Sequence, residues 1–392
     1  MITAEARITD AGGGIGRIEW RVNGATVGVS ASAPGLGNAR IVKQTLALEP
    51  GENTIELVAY NARNLLASLP VSTTVTWTAP ASRARPKLFV IAVGINDYHD
   101  RHFPPLSHAV ADAKAFGAAM KAAGEGQYAD VDVTYLLDED ATAAKLEKEI
   151  AEVGARMHPR DVFVFLVAAH GKSENGRFHL IPQDYHSEPG RPFTEGTIGQ
   201  EQLQDWFANR IKARRGLILL DTCESGALVA SRSSGIDLGN SEAAMGRLNE
   251  ATGRPVLTAA AADQAALEGY KGHGVFTYAL LDALVNGDAN NDGQIELSEL
   301  VAHIQALAPK LSRQLGPGRG SSAVPSPPRA VAAQLRGGAI VASFVDRGLI
   351  RDVVDRGLIR DVGGYRQKPK LGSRGEDFPL VNRLSALPAA AQ

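Results

Sequence analysis

Asp161-Val-Phe-Val-Phe-Leu-Val-Ala-Ala-His170-Gly171 and Gly216-Leu-Ile-Leu-Leu-Asp221-Thr-Cys223-Glu-Ser-Gly226 are the two stretches that decide the fold. Each opens with an apolar run of strand length without polar alternation, the pattern of a strand covered on both faces in a parallel sheet. Each then breaks into polar and glycine residues at its C-terminal end, the edge of an open α/β sheet where chemistry collects. One run delivers an imidazole there and the other delivers the chain's single thiol. A Cys/His pair is the minimum equipment for nucleophilic acyl transfer, because the base keeps the thiolate available and the thiolate attacks a carbonyl. Taken alone, a lone cysteine is more often a small buried hydrophobe. A strand-ending histidine is more often a satisfied polar group. Their shared placement favours the catalytic reading.

Outward from these strands, apolar runs alternate with helical patterns. A buried strand is expected at Lys87–Gly94, a helix at about Ser107–Ala123, a strand at Val131–Leu137 and an amphipathic helix at Thr142–Met157. A short strand at Phe178–Pro182 and a helix at Gln200–Lys212 precede the Cys-bearing strand, and Pro255–Ala260 and Phe276–Val285 read as strand and helix. Strands alternating with helices imply an α/β sheet with right-handed crossovers. Residues 1–80 read differently. Alternating runs at Arg17–Val22, Arg40–Leu48 and Thr54–Tyr60 are separated by turns such as Asn23-Gly24, the signature of an all-β unit that resembles a small Ig-like sandwich. The cluster Gly12–Gly16 lies between predicted strands with no helix after it, so it reads as a β-turn and not a phosphate loop.

The stretch from Lys87 to about Leu300 resembles the caspase-type peptidases, on the side of bacterial caspase-like proteins and metacaspases. The resemblance is carried by Lys87–Asn96, His108-Ala-Val-Ala-Asp112-Ala113, Ala169-His170-Gly171, Asp221-Thr-Cys223-Glu-Ser-Gly226 and Gly272-His-Gly-Val-Phe-Thr-Tyr278. The histidine lies about fifty residues before the cysteine, as it does in caspases. The animal-caspase nucleophile signature Gln-Ala-Cys is absent, and Asp-Thr-Cys stands in its place. The resemblance implies a caspase-hemoglobinase-like, open, mostly parallel sheet with helices on both faces, preceded by the Ig-like sandwich. The expected divisions are 1–80 for the sandwich, 81–86 for a linker, 87–228 for a large catalytic segment, 229–254 for an intersegment loop, 255–380 for a small segment and 381–392 for a tail.

It also implies roles. Cys223 is the expected nucleophile and His170 the general base, with the backbone N–H groups of Gly171 and Cys223 as the oxyanion hole. Asp112 and Asp221 are expected to line a substrate pocket that holds Arg or Lys before the scissile bond, since two neighbouring carboxylates favour a cation. Each also has a plain structural reading, Asp221 as a satisfied strand end and Asp112 as an acid in a helix's first turns. Arg232 and Arg247, in the polar stretch Ala227–Gly253, would suit self-cleavage. The chemistry requires no cofactor.

Asp288-Ala-Asn290-Asn-Asp292-Gly293-Gln-Ile295-Glu-Leu-Ser-Glu299 matches the EF-hand loop pattern, with Asp288, Asn290, Asp292 and Glu299 as ligands for Ca2+. A capped interhelical turn using the same residues is the competing reading. The acidic cluster that binds calcium in many metacaspases is not carried over, because the stretches after His170 and Cys223 read Gly171-Lys-Ser-Glu-Asn and Ala227–Ala230. Val345–Val353 is repeated without change as Val354–Val362, a tandem duplication too short for a solenoid unit and read as an insertion in the small segment.

At 392 residues, 44% apolar and 21% charged, with net charge −2, the chain reads as a soluble globular protein with no electrostatic case for nucleic acid or a membrane surface. One cysteine excludes an intramolecular disulfide, and no signal-peptide or spanning pattern appears, so a cytoplasmic protein acting on protein or peptide substrates is expected, with the Ig-like unit docking a partner. Three rival readings stay open: a catalytically silent caspase-like scaffold, a calcium-responsive interaction protein, and another cysteine peptidase of the CHAT or gingipain type.

Overall fold

The computed structural model describes residues 1–30, 39–64, 66–78, 84–174, 176–224, 248, 252–259, 269–315, 370–372 and 377–391. Most of 225–251, with Arg232 and Arg247, and the tandem repeat at 345–362 lie outside the described residues.

The N-terminal unit contains β1 (Ile2–Thr9), β2 (Ile18–Val22), β3 (Ala25–Ser30), β4 (Ala39–Leu46), β5 (Gly51–Ala59) and β6 (Val71–Trp77). An antiparallel β1–β4 pair faces a four-stranded antiparallel sheet in the order β3-β2-β5-β6. Ile18, Trp20, Val22, Ile55 and Leu57 bury one face of the larger sheet against Val42 and Leu46. Asn23 and Gly24 both take positive φ (51° and 80°), as a two-residue hairpin of this hand requires. Gly12 and Gly13 donate to the Asp10 carboxylate, so the glycine cluster is a turn.

The second unit is a caspase-like α/β fold with a mostly parallel central sheet. Its elements are β7 (Leu88–Gly94), α1 (Ala109–Gly124), β8 (Val131–Leu137), α2 (Ala143–Arg156), β9 (Val162–Glu174), β10 (Arg177–Leu180), β11 (Ile198–Gly199), α3 (Gln200–Asp205), β12 (Arg215–Glu224) and β13 (Val256–Thr258). They continue as α4 (Val275–Asn286), β14 (Gln294–Glu296), α5 (Leu297–Leu315), β15 (Lys370–Gly372) and β16 (Pro379–Asn382). Across the sheet the order is β8-β7-β9-β12-β13-β15, parallel except for β15, and the β10–β11 hairpin extends the end of β9. Side chains alternate between two cores. Val164, Leu166, Leu217 and Leu219 pack with α1, α4 and α5. Phe163, Phe165, Ile218 and Leu220 pack with α2 and α3. Among the described residues, no helix is long and apolar enough to cross a membrane.

One expected helix ends early. In place of a single helix over Gln200–Lys212, α3 stops at Asp205 and gives way to a wide π-type turn at Trp206–Arg210. The turn keeps Trp206, Phe207 and Ala208 all buried. Its freed carbonyls are taken by Arg254, which is 1% exposed and donates to Phe207 O (2.8 Å), Ile211 O (3.1 Å) and Ala213 O (2.8 Å).

The two units meet along a polar seam. Glu19, fully buried, pairs with Arg17 (2.8 Å) and Arg21 (2.7 Å) in its own sheet and accepts from Gln204 Nε2 of α3 (2.8 Å). Asn209 accepts from Val29 N (2.8 Å) and donates to Val29 O (3.0 Å), so one side-chain amide meets strand β3 as a neighbouring strand would. Arg214 reaches Asn53 (3.4 Å) and Glu49 (3.6 Å). Gly253 lies so close that a Cβ there would sit 2.5 Å from Thr26 N. The N-terminal unit therefore braces the segments that lead into β12 and β13.

Candidate active site

Strands β9 and β12 run in parallel register, and that register sets Cys223 beside His170 and Asp221 beside Ala168 at the C-terminal edge of the sheet. The two apolar runs bring this about by being of equal length, with Val162 starting opposite Arg215.

His170 is 3% exposed. Its Nε2–H donates to the carbonyl of Pro104 (2.9 Å). A carbonyl only accepts, so the ring proton is on Nε2 and the lone pair is on Nδ1. Nδ1 is itself buried and has no hydrogen-bond partner. Burial pushes the imidazole below the ordinary histidine value, with the Pro104 bond opposing, so the neutral form is favoured. The ring is clasped by Tyr98 (centroids 4.9 Å apart) and Phe103 (5.7 Å), and the Tyr98 hydroxyl accepts from His170 N (2.6 Å). A buried, neutral imidazole with an unoccupied acceptor beside the only cysteine can take a thiol proton.

Gly171 continues β9. A Cβ there would sit 2.8 Å from the Phe178 ring and 3.1 Å from Thr222 Cβ, so packing across strands demands the glycine. That reason adds to the close substrate approach expected from sequence.

Both candidate pocket carboxylates converge on the N-terminus of α4. Asp112, on α1 and 3% exposed, accepts from His273 Nδ1 (2.7 Å) and from Gly274 N (3.0 Å). Burial pushes its carboxyl upward and these bonds oppose the shift. Asp221, 8% exposed, accepts from Thr277 Oγ1 (3.0 Å). The expectation that only a substrate cation relieves these carboxylates therefore needs amending, since His273 and the start of α4 already engage Asp112. His273 lies inside the quoted stretch Gly272–Tyr278 but had no role assigned. Pro104, Tyr98 and Thr277 were also missed. The signal for Pro104 was weakest, because its contribution is a backbone carbonyl.

The EF-hand-like loop joins α4 to α5. Asp288 accepts from Asp292 N (3.2 Å) and Gly293 N (3.0 Å), and Asn290 Oδ1 also accepts from Asp292 N (2.9 Å). Glu299 folds back to accept from Ala289 N (3.0 Å), Asn290 N (3.1 Å) and Glu296 N (3.2 Å). Burial, then Glu299, Asp292 and Asp377, push the Glu296 carboxyl up to about 7. Among the described residues, no group of three or more His, Cys, Asp or Glu side chains stands close enough to hold a metal ion. Strand β14 within the loop pairs with β16, where a paired EF-hand would supply a second loop.

A groove of about 910 Å³ between the two units, lined by Leu46, Trp77, Met157 and Lys212 among others, contains none of these residues.

The family profile described as Caspase domain, of the C14 peptidases, matches residues 87–325. Solved structures similar to the chain include caspase-1 from Spodoptera frugiperda, at 12% identity over 78% of this chain and 93% of that chain, with TM-score 0.42. The Drosophila initiator caspase Dronc is similar at 12% identity over 58% and 74%, TM-score 0.38. A Geobacter sulfurreducens protein is similar at 18% identity over 56% and 89%, TM-score 0.40. No curated protein matches the chain.

Proposed function

The chain belongs to the caspase-domain family, and from that premise we propose that it is a cysteine endopeptidase in which Cys223 is the nucleophile and His170 the general base. The unpartnered, buried Nδ1 of His170 beside Cys223 in the sheet register carries this reading. Nδ1 takes the thiol proton, the thiolate adds to the peptide carbonyl, and the imidazolium returns the proton to the departing amine. Water then hydrolyses the thioester with His170 again as base. The Pro104 carbonyl stabilises the imidazolium in between. The backbone N–H groups of Gly171 and Cys223 are the proposed donors to the oxyanion.

The preferred residue before the cleaved bond is proposed to be Arg or Lys. Asp112 and Asp221, brought to the start of α4, favour a cation over a substrate carboxylate, which would add a like charge. Self-cleavage at Arg232 or Arg247 belongs to the same proposal. The surplus of carboxylates around Glu296 supports calcium at the 288–299 loop as a separate proposal. Ca2+ would draw Glu299 off the backbone N–H groups it now caps.

A positional peptide library, run with the parent chain and Cys223→Ala side by side, tests the assignment. Cleavage after Arg or Lys by the parent alone is expected. Turnover by a well-folded Cys223→Ala chain would sink the dyad, and efficient cleavage after Asp would sink the pocket assignment alone.

A further inference from the structure

The turn between β7 and α1 supplies every group that grips the His170 ring and yet has little regular structure of its own. Its root is tied down. Asn96 N and Asp97 N donate to Asp138 Oδ1 (2.7 and 3.1 Å), and Leu106 N returns to Asn96 O (2.9 Å). Asp138 takes a positive φ of 42° to do so, a conformation that costs energy for a residue with a side chain. Its tip carries Tyr98, Phe103 and Pro104, whose contacts with His170 are described above.

Between root and tip stands Asp100, 7% exposed, a carboxylate with no part in the chemistry proposed so far. Oδ1 accepts from His102 N (2.9 Å) and His102 Nδ1 (2.7 Å), and Oδ2 accepts from Ser187 N (2.6 Å). Phe103 N donates to the Asp100 carbonyl (3.1 Å), and His99 N reaches Gln183 O (3.0 Å). The carboxylate thus closes the turn on itself and fastens it to the segment after β10. Tyr185 of that segment packs edge-on against Phe103 (5.5 Å) and stacks onward to Phe193 (5.7 Å). Burial alone would raise the Asp100 carboxyl, but the bonds from Ser187 and His102 outweigh it and hold the group well below the usual carboxylate range. It is therefore an ionised anchor at any working pH.

We propose that Asp100 is a positioning residue for the peptidase reaction: by pinning the turn to Ser187 it holds the Pro104 carbonyl on Nε2 and the Phe103 ring on the imidazole, and so keeps the Nδ1 lone pair of His170 available to the nucleophile. The proposal rests on the peptidase reading and adds to it a residue that touches neither substrate nor reacting atoms. Without the anchor, Pro104 drifts, the Nε2–H bond lengthens and the two neutral tautomers approach parity, so part of the enzyme carries its proton on the wrong nitrogen.

Asp100→Asn is the test, because the amide keeps shape while turning a donor group toward N–H donors. Asp140→Asn, an exposed carboxylate paired with Lys145, is the control. Peptide turnover and the imidazole 15N spectrum of His170 are measured together. Asp100→Asn is expected to lower kcat by roughly tenfold or more with KM within about twofold, as small misplacements of a reacting group do. The His170 signal should shift from a single Nε2–H tautomer to a mixture. An unchanged tautomer, or kcat within about twofold of the parent, would overturn the proposal, as would a loss of activity that follows only a loss of folded protein in the melt. If the parent chain cleaves no peptide, the peptidase reading falls, and the 15N spectrum of the two variants still decides whether Asp100 sets the tautomer.

Discussion

Replacing Arg254 with methionine sets two large effects against each other, and the structure gives both sizes. The guanidinium is 1% exposed and makes three bonds of 2.8–3.1 Å to the carbonyls of Phe207, Ile211 and Ala213. A hydrogen bond with a charged donor contributes about 1.5–3 kcal/mol, so the three together are worth about 5–9 kcal/mol. Against this, burial depresses the guanidinium to about 10, which corresponds to a desolvation cost on the order of 3 kcal/mol that methionine removes. Methionine also fills the space of the aliphatic stem. The carbonyls therefore win, and Arg254→Met should destabilise the protein by about 2–6 kcal/mol. Arg254→Lys should not rescue it, because a compact ammonium cannot fork to three carbonyls. Urea unfolding in a Cys223→Ala background, at constant m-value, measures the loss. A methionine variant within about 1 kcal/mol of the parent would refute the claim that this cation holds the end of the π-type turn.

Three further outcomes are expected. Gly171→Ala should cost about 1–3 kcal/mol by forcing a methyl against Phe178 and Thr222, visible as a lowered melting temperature, and an unchanged melt would contradict the packing argument. Because burial disfavours the His170 imidazolium, the neutral base persists to lower pH, so the acid limb of kcat/KM should lie below the ordinary histidine value of about 6.5; a limb above it would reverse the sign of the argument. If calcium enters the 288–299 loop, Glu299→Gln should weaken it most among the four candidate ligands, and titration calorimetry without heat at millimolar calcium would leave the loop a capped turn.

Much of the catalytic half was legible in the sequence. Unalternating runs over Leu88–Gly94, Val162–Ala169 and Leu217–Leu220 mark strands buried on both faces, and their breaks into His170 and Asp221-Thr-Cys223 mark the active edge. The edge strands of the N-terminal sheet were harder. β6 reads Val-Ser-Thr-Thr-Val-Thr-Trp and is exposed along most of its length, so no alternation in burial is written into it. The early end of α3 could not be foreseen, because Leu203, Trp206, Phe207 and Ile211 keep helical spacing while the residue that takes the freed carbonyls is Arg254, far along the chain. The tautomer of His170 was hidden for a related reason. It is set by a backbone carbonyl at Pro104, and carbonyls belong to every residue alike.

The bond pair between Asn209 and Val29 has a consequence for how molecules of this protein meet one another. An outer strand offers a row of unpaired N–H and C=O groups that can recruit a strand from another chain, and such additions propagate into fibres. At β3 the amide of Asn209 occupies one donor and one acceptor of that row, and the adjoining unit covers the approach. Joining the two units and closing that side of the sheet to strangers are thus one and the same contact. Asn209→Ala would leave the units adjacent but open Val29 to a neighbour's backbone, so its first symptom in concentrated solution would be self-association, ahead of any loss of folded structure.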